Sequence, residues 1–415
     1  MIIDEFGEHM NTIAANSTGD DMTTQHPAEI ENLVQEFAAR KTAAIEARRI
    51  PDANIKAMRD AGLYRVYNPK RFGGDAVHMD DVLPTVARIA EACPASAWVL
   101  AVFQIHNWVL SLFPEQAQHE VFGANQDAVA CASLNPSKNM TRKVAGGYLI
   151  EDGRFTFCSG AHHRDWALLG SLIVDDAGAV CDVGCMLVPG DDLEELDDWY
   201  VSGLQATGSI SLLAKELFVP EHRFLSYGAA TAYQSPGRTI NSESLYMAAF
   251  VPMLVLNLAG PALGAAETAL RAFVANLNEK GSKAGTYPLP GIARVDAPAT
   301  HEAIATARMQ IDCARLLLQQ SAATIRRFAE LGQAMRPEDS AKVNLETSYA
   351  VRECLKATQL LFLQAGGAVL HPGHPLQEAY QDVTAVNCHG FLGHEANLSL
   401  YGSLVTGHDH PEAFL

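Results

Sequence analysis

The chain has 415 residues and a formal net charge of −18, with 48% hydrophobic and 19% charged residues. This composition indicates an ordinary globular protein with a large core and excludes a disordered one. The negative charge argues against nucleic acid and anionic membrane as partners, because phosphate binding needs clustered Lys and Arg.

The N-terminal residues and the cysteines bear on location. The start, MIIDEFGEHMN, is acidic and has no apolar region after a basic start, so no secretory signal is expected. No apolar run reaches the roughly 18 to 20 residues that a membrane span needs. The eight cysteines are scattered and lie mostly in apolar runs. We therefore expect a cytoplasmic protein with reduced, buried thiols, preceded by a loose segment over residues 1–25.

Residues 26–122 are predicted to form an N-terminal helical domain. Apolar residues from Ile30 onwards fall on one helical face, and a second helix begins at Pro51 and is closed by Gly62 at its C-terminal end. Asp80 is predicted to be the N-cap of the next helix.

The segment Ala95–Phe113 is apolar on nearly every side, which predicts a buried helix. Gln104, His106 and Asn107 interrupt it, and buried polar groups need partners. From the helix alone, His106 is either a satisfied core histidine or a residue that faces a pocket.

Residues 123–234 contain short segments bounded by Gly, Pro and Asp, several with alternating polarity, which predicts an antiparallel β domain. VAGGYLI indicates a hairpin with glycines at the turn. Ser159-Gly160, within RFTFCSGAHHRDW, suggests a backbone that approaches a ligand closely. Of the two histidines that follow, His162 and His163, one could face a substrate or both could be solvated. Cys158 is interpreted as a small packing residue.

Residues 235–415 are predicted to form a bundle of consecutive long helices. The order of helices, β domain and helical bundle has no alternating βα units, which excludes a Rossmann or TIM-barrel oxidoreductase. The chain also has no P-loop, no GxSxG and no HExxH. The C-terminal histidines match no metal-ligand spacing, so no metal site is expected.

Stretches from about Arg49 to Asp409 occur in a recognisable order. They are RRIPDANIKAMRDAGLYRVYNPKRFGG, CPASAWVL, LNPSKNMTRKVAGGYLIEDGRFTFCSGAHHRDWALLG, LQATGSISLLAKELFVPEHR and LFLQAGGAVLHPGHPLQEAYQDVTAVNCHG. In this order they resemble the oxygenase components of two-component flavin-dependent monooxygenases, which are built on the acyl-CoA dehydrogenase fold. The resemblance implies an α+β, mostly α, architecture with a central antiparallel β domain and a C-terminal four-helix bundle.

The resemblance also implies an activity. Reduced flavin, FADH2 or FMNH2, comes from a separate NAD(P)H-flavin reductase and reacts with O2 to give a C4a-(hydro)peroxyflavin. This adduct oxygenates a small, aromatic, phenol- or indole-like substrate. It survives only in a dry pocket with a hydroxyl near flavin N5. A homotetramer is implied as well.

Site residues are carried over position by position. Ser159 matches the serine at flavin N5, and Phe157 stands where the family often has a tryptophan. His106 and His389 match histidines near the substrate, where an imidazole suits a general base. The other positions that the resemblance places at the flavin are Trp98, Ser133, Thr207, Gly208, Ser209 and the bundle glycines Gly366 and Gly367, which approach a neighbouring subunit's cofactor.

The chain departs from the family at some charged positions. Glu378 and Gln381 replace an arginine pair of the bundle, so the contact made there is altered or lost. Lys280 and Lys283 lie in a segment where the family commonly has an arginine. Because lysine is a poorer bidentate phosphate binder, the choice between FMN and FAD stays open.

Two other functions compete with the oxygenase. An acyl-CoA dehydrogenase or CoA-ester-oxidising flavoenzyme on the same fold needs a glutamate base near the end of the bundle. His389 stands there, and Glu395 is the only nearby acid, which counts against simple dehydrogenation. A non-catalytic scaffold is disfavoured because Ser159, His106 and His389 are all retained.

Overall fold

The structure is a computed structural model that describes residues 27–136, 139–279, 285–286, 289–408 and 410. The N-terminal part is helical and packs around one long buried helix. Its main helices are α1 (Pro27–Ala47), α2 (Asp52–Asp60), α3 (Met79–Ala90) and α4 (Pro94–Leu110), followed by a short helix, Glu115–Gln118.

The ends of α2 and α3 show where local signals hold and where they fail. Gly62 has φ of 69° just after the end of α2, as predicted for a helix C-terminus. The predicted N-cap of α3 is wrong, because His78 occupies that position and Asp80 lies in the first turn. The negative charge of Asp80 still interacts favourably with the N-terminal end of the helix dipole. Its carboxylate also accepts a hydrogen bond from Arg326 at 3.0 Å.

Helix α4 is buried along its whole length, which confirms the prediction for this segment. Its polar side chains are tied to backbone carbonyls: Gln104 donates to Leu63, and Asn107 donates to Tyr64 and Ala128 at 3.1 and 3.0 Å. These bonds satisfy the side-chain N–H groups and join α4 to the turn after α2 and to the segment before the first strand.

An eight-stranded sheet follows, in the order β6-β7-β3-β2-β4-β5-β8, with β1 also paired to β4. The predicted hairpin is confirmed as β2 and β3, with Gly146 in the turn. The strands are β1 (Ala130–Ser133), β2 (Met140–Val144), β3 (Gly147–Phe155), β4 (Trp166–Val174), β5 (Val180–Pro189), β6 (Glu194–Leu196), β7 (Ser211–Pro220) and β8 (Phe224–Ser226).

The sheet is mixed, so the prediction of an antiparallel domain is wrong in part. Both β1 and β2 run parallel to β4. Strand β1 pairs with residues 166–169 and β2 with residues 172–174, so the chain continues along the same edge of β4 after a short interruption. The two pairings therefore share one direction, which local alternation cannot reveal.

Past the short helices Tyr227–Thr231 and Gly237–Ile240, the chain is mainly helical. A small hairpin, β9 (Gly285–Thr286) with β10 (Leu289–Ala293), interrupts the helices. The helices are α5 (Phe250–Asn257), α6 (Gly260–Glu279), α7 (Pro298–Glu330), α8 (Pro337–Gln364), α9 (Pro375–Asn387) and α10 (His394–Val405).

One stretch of this helical part, Phe250–Leu277, is long and apolar enough to cross a membrane by length and composition. Its most apolar window is entirely buried inside the protein. The stretch therefore forms the centre of the helical core, where a helix that is apolar on all sides is expected.

Candidate functional site

Four side chains from three segments form a hydrogen-bonded chain at the junction of α4 and the sheet. Trp98 Nε1 donates to Ser159 Oγ at 3.0 Å, and Ser159 Oγ lies 2.8 Å from Ser209 Oγ. Ser209 Oγ lies 2.7 Å from Thr207 Oγ1, which donates to the carbonyl of Leu204 at 2.9 Å. All four side chains belong to buried residues.

The two ends of this chain fix the direction of every bond in it. A carbonyl only accepts, so the one hydroxyl proton of Thr207 is donated to Leu204. The bond between Ser209 and Thr207 must therefore be donated by Ser209. Ser159 must then donate to Ser209. Ser159 Oγ accepts from the indole of Trp98 and keeps a second lone pair, so it offers an acceptor, not a donor, to a ligand.

Backbone bonds hold the two loops of this chain together. The N–H of Gly160 donates to Thr207 O at 2.9 Å, and the N–H of Cys158 donates to Ile210 O at 3.1 Å. The segment before β4 and the segment before β7 therefore move as one unit, and a shift in residues 204–210 is transmitted to Ser159.

Gly160 is needed for a reason other than the predicted approach to a ligand. It has φ of 72°, and a Cβ built there would lie 2.5 Å from Cζ of Phe103 on α4. The glycine allows the mouth of the sheet to contact the buried helix, so the close approach is to the protein's own core.

Phe157 presents an aromatic ring to the surface beside the hydroxyl chain. Its side chain is 70% exposed, and its φ of 62° is unusual for an aromatic residue. Trp199 contacts it edge to face, with ring centroids 5.9 Å apart. Strained backbone positions of this kind occur at functional sites, and the exposed ring offers a face on which a planar ligand can stack.

His106 lies on α4, and its tautomer follows from its partner. Nδ1 is 2.7 Å from the carbonyl of Ala130, so Nδ1 carries the proton. Burial lowers the pKa of His106 to about 4, and the ring is neutral at pH 7. Nε2 makes no hydrogen bond to the described residues, so it is left as an acceptor that can take a proton.

His389 has the opposite arrangement. Its Nδ1 accepts the N–H of Phe391 at 3.3 Å, which places the proton of the neutral ring on Nε2. Burial lowers the pKa of His389 to about 4. Its ring centroid is 5.8 Å from that of Trp98, so the end of the bundle meets the hydroxyl chain. His389 therefore offers a donor where His106 offers an acceptor.

The remaining predicted positions are less closely joined. Ser133 ends β1, three residues after the carbonyl that holds His106, and it is half-buried. Gly366 and Gly367 are exposed at the end of α8, and a Cβ added to Gly367 would meet nothing within 4 Å. Within the described residues, no backbone hydrogen bond joins these glycines to Ser159.

The histidines after Ser159 have structural partners. His162 Nδ1 lies 3.0 Å from a carboxylate oxygen of Glu195, and His163 Nε2 donates to the carbonyl of Ile50 at 2.8 Å. Cys158 is fully buried, and its contact with Cys131, together with burial, raises the pKa of its thiol. This thiol is a packing residue, as predicted.

The charged departures and the dehydrogenase alternative can be placed as well. Glu378 pairs with Lys41 of α1 at 2.6 Å, so an ion pair replaces the arginine contact expected there. Glu395 has a 79% exposed side chain and pairs with Arg352 at 2.7 Å, which does not suit a base above a buried substrate. Lys280 and Lys283 lie outside the described residues.

These features fit a reduced flavin. An exposed ring at Phe157 can stack on an isoalloxazine, and the free lone pair of Ser159 matches the N–H at N5 of the reduced form. Sequence reasoning found these positions but missed Leu204, which ends the hydroxyl chain, and Asp382, which accepts the N–H of Leu204 at 2.7 Å. In the sequence, Asp382 is visible only as an acidic residue on a predicted helix of the bundle.

Residues 256–393 match the family model described as acyl-CoA dehydrogenase, C-terminal domain. The oxygenase subunit HsaA, a flavin-dependent monooxygenase of Mycobacterium tuberculosis, is 30% identical over 376 residues, which cover 91% of this chain and 94% of the relative. The oxygenase component of the FADH2-dependent resorcinol hydroxylase of a Rhizobium species is 30% identical over 375 residues, covering 89% and 90%.

A solved structure agrees with these relatives. The crystal structure of the 3-HSA hydroxylase from Rhodococcus sp. RHA1 superposes with a TM-score of 0.89 at 27% identity, covering 95% of this chain and all of that one. The similarity thus extends over the helices, the sheet and the bundle. The chain belongs to the family of flavin-dependent monooxygenase oxygenase components, built on the acyl-CoA dehydrogenase fold.

Proposed function

We propose that this protein is the oxygenase component of a two-component monooxygenase, which uses reduced flavin and O2 to hydroxylate a small aromatic substrate. The observation that carries the proposal is the buried hydroxyl chain that ends on an acceptor at Ser159, beside the exposed ring of Phe157. Relatives named for hydroxylation of resorcinol and of p-hydroxyphenylacetate support an aromatic substrate.

The bound flavin supplies the chemistry with O2, and the protein holds and protects it. Ser159 Oγ would accept the N–H at N5 of a bound reduced flavin, and this bond would oppose loss of the proton from that nitrogen. Trp98, Thr207 and Ser209 are at most 6% exposed, so water has little access to the acceptor. A hydrogen bond in such a dry environment is stronger than the same bond in water.

His106 is the base in this proposal. An imidazole with a pKa of about 4 is too weak a base to ionise a phenol beforehand, so Nε2 accepts the hydrogen bond of the phenol O–H and takes its proton as positive charge develops on the ring during hydroxylation. His389 lies beside Trp98, and its Nε2 can donate a hydrogen bond that orients an oxygen acceptor at the site. In this scheme the segments 26–122, 123–234 and 235–415 form three domains, and each contributes to the site: Trp98 and His106, Ser159 and Ser209, and His389.

FAD is the preferred flavin, by analogy with the FADH2-dependent resorcinol hydroxylase. A separate reductase supplies it in reduced form, since the relative is named as an oxygenase component. In this proposal the reductase takes its electrons from NAD(P)H. We place the protein in the cytoplasm, where NAD(P)H is regenerated.

The assembly in this proposal is a homotetramer. Large apolar side chains are exposed on the helical bundle, and burying them against other copies would remove them from water. They are Met309, Leu316, Tyr349, Leu363, Leu398 and Val405. Gly366 and Gly367, which are open at the end of α8, are then available to a neighbouring subunit's flavin. Light scattering should give four times the mass of the chain.

The test is a coupling measurement. The protein is mixed with FADH2 anaerobically, then with O2 and a panel of phenols headed by resorcinol, and hydroxylated product and H2O2 are counted per flavin oxidised. We expect product with at least one phenol, and H2O2 alone without substrate. Isolation of the protein with tightly bound oxidised FAD, whose absorbance an acyl-CoA bleaches in the absence of O2, would contradict the proposal and support a dehydrogenase.

A further inference from the structure

The loop that carries Thr207 and Ser209 is seated on helix α9 at its other end, around Gly203 and Leu204. A Cβ added to Gly203 would lie 2.2 Å from the carbonyl oxygen of Gln381, so the loop backbone is pressed against the helix. One residue later, the N–H of Leu204 donates to Oδ1 of Asp382 at 2.7 Å. Asp382 thus holds the loop at Leu204, the residue that follows the contact between Gly203 and α9.

Leu204 is in a conformation that needs such support. Its φ and ψ are 51° and 34°, which lie in the left-handed region that is unfavourable for residues other than glycine. A strained residue persists only when its surroundings determine its position. Here Asp382 fixes the N–H, and the carbonyl accepts both the hydroxyl and the N–H of Thr207, at 2.9 and 3.1 Å.

The same carbonyl ends the hydroxyl chain that reaches Ser159. If Leu204 relaxes, Thr207 loses its acceptor and is free to donate to Ser209 instead. Ser209 would then donate to Ser159, and Ser159 would turn its own proton towards the ligand. The direction of the chain, and with it the acceptor at Ser159, depends on the position of Leu204.

Asp382 lies among charged and titratable groups of its own helix and of neighbouring segments. Lys41 of α1 faces it, Glu378 lies one turn earlier on α9, and Cys93 precedes α4. Burial of the carboxyl raises the pKa of Asp382 to about 6, while Lys41 and the Leu204 bond oppose this rise and Glu378 adds to it. The carboxyl therefore changes charge close to neutral pH.

We propose that Asp382 is a positioning residue of the oxygenase site, which holds Leu204 in its left-handed conformation so that Ser159 presents an acceptor to the flavin. The role given to Ser159 rests on the proposed function, but the link from Asp382 to Ser159 does not. Ionised Asp382 binds the N–H of Leu204 more strongly than the neutral acid does. The loop is accordingly held firmly above pH 6 and loosened below it.

Tryptophan signals test the link without any flavin. The chain has four tryptophans. Trp98 donates to Ser159, and Trp199 donates to the carbonyl of Gln205 within the loop at 3.0 Å. Trp108 donates to Leu245 at 3.3 Å, away from the loop, and serves as an internal control. Protein labelled with 5-fluorotryptophan is followed by 19F NMR from pH 5 to 8, with signals assigned by Trp→Phe variants.

We expect the Trp98 and Trp199 signals to titrate with a midpoint near pH 6 in the parent protein, and the Trp108 signal to stay constant. Asp382→Asn keeps the shape without the charge, so at pH 8 its Trp98 and Trp199 signals should match those of the parent at pH 5. Gly203→Ala pushes the loop off α9 and should shift both signals with Asp382 intact. Glu267→Gln, which removes a buried acid elsewhere in the bundle, is the matched control and should shift neither.

The proposal is overturned if Asp382→Asn leaves both signals unchanged at pH 8, or if the pH titration persists in that variant. Coupling with FADH2 gives the second arm: product per flavin should fall at least threefold in Asp382→Asn and Gly203→Ala, but not in Glu267→Gln. If the signals move as expected and the parent protein hydroxylates nothing, the proposed function fails while the positioning role stands. If the parent protein is well coupled and both variants match it, the positioning role fails.

Discussion

Replacing Ser159 by alanine removes the one group that joins the indole of Trp98 to the hydroxyls of the loop. Trp98 is 6% exposed and Ser209 is 4% exposed, so neither gains water in exchange. Trp98 is left with a buried, unpaired N–H, while Ser209 keeps its bond to Thr207. An unpaired buried donor costs about 1–3 kcal/mol, so we expect the free energy of unfolding to fall by about 2 kcal/mol.

The same substitution removes the proposed acceptor for the flavin N–H. A hydrogen bond of about 1.4 kcal/mol corresponds to a tenfold change in rate, so H2O2 release should accelerate about tenfold in Ser159→Ala. Binding of reduced flavin should change little, because the proposed stacking on Phe157 does not depend on Ser159. Stability is measured by urea unfolding, and H2O2 by stopped flow with a peroxidase-coupled dye.

Two controls separate the hydroxyl chain from a general loss of stability. Ser171→Ala removes another buried serine hydroxyl, which lies 2.8 Å from Thr141 in the sheet, and should reduce stability without faster H2O2 release. Trp98→Phe combined with Ser159→Ala should cost less than the sum of the single variants, because both remove the same bond. Additive stability losses, or an unchanged H2O2 rate in Ser159→Ala, would refute the reasoning.

Further variants test other parts of the site and core. His106→Asn keeps a donor for Ala130 but loses the acceptor at Nε2, so product per flavin with phenols should fall at least about tenfold. In the parent protein the folded pKa of His106, about 4, lies below the usual value near 6.5. The unfolded chain therefore takes up the proton first, and urea unfolding should show stability lost as the pH falls from 6.5 to 4, less steeply in the variant. Gly160→Ala places a Cβ 2.5 Å from Phe103 at positive φ and should lower the free energy of unfolding by about 2–4 kcal/mol in the same assay. Glu267→Gln weakens the pairing with Arg308 and Arg315 and should cost about 1–3 kcal/mol, with coupling unchanged.

The sequence predicted features that local composition encodes. Helix α4 is apolar on all sides and could only be buried, and the glycines of VAGGYLI could only mark a turn. The pairing of β1 and β2 with β4 could not be predicted, because strand direction depends on residues more than 25 positions away. Asp80 looked like an N-cap because its partner, Arg326, lies 246 residues further on.

The site divides in the same way. The resemblance placed Trp98, Ser159, Thr207 and Ser209 at the flavin, and the structure joins them in one chain. The direction of that chain depends on the carbonyl of Leu204, a backbone group that no residue type reveals. Glu378 predicted a contact that is altered or lost, and the structure shows an ion pair with Lys41, which α1 brings to α9. Such pairs become visible only when the helices are packed.

Isotope labelling tests the central claim most directly. The protein, FADH2 and the phenol that couples best are incubated under 18O2, and the product is analysed by mass spectrometry. A monooxygenase predicts one atom of 18O in each hydroxylated product, with the second oxygen leaving as water. Product without 18O, or flavin oxidation that yields only H2O2 with every aromatic substrate tried, would contradict the account.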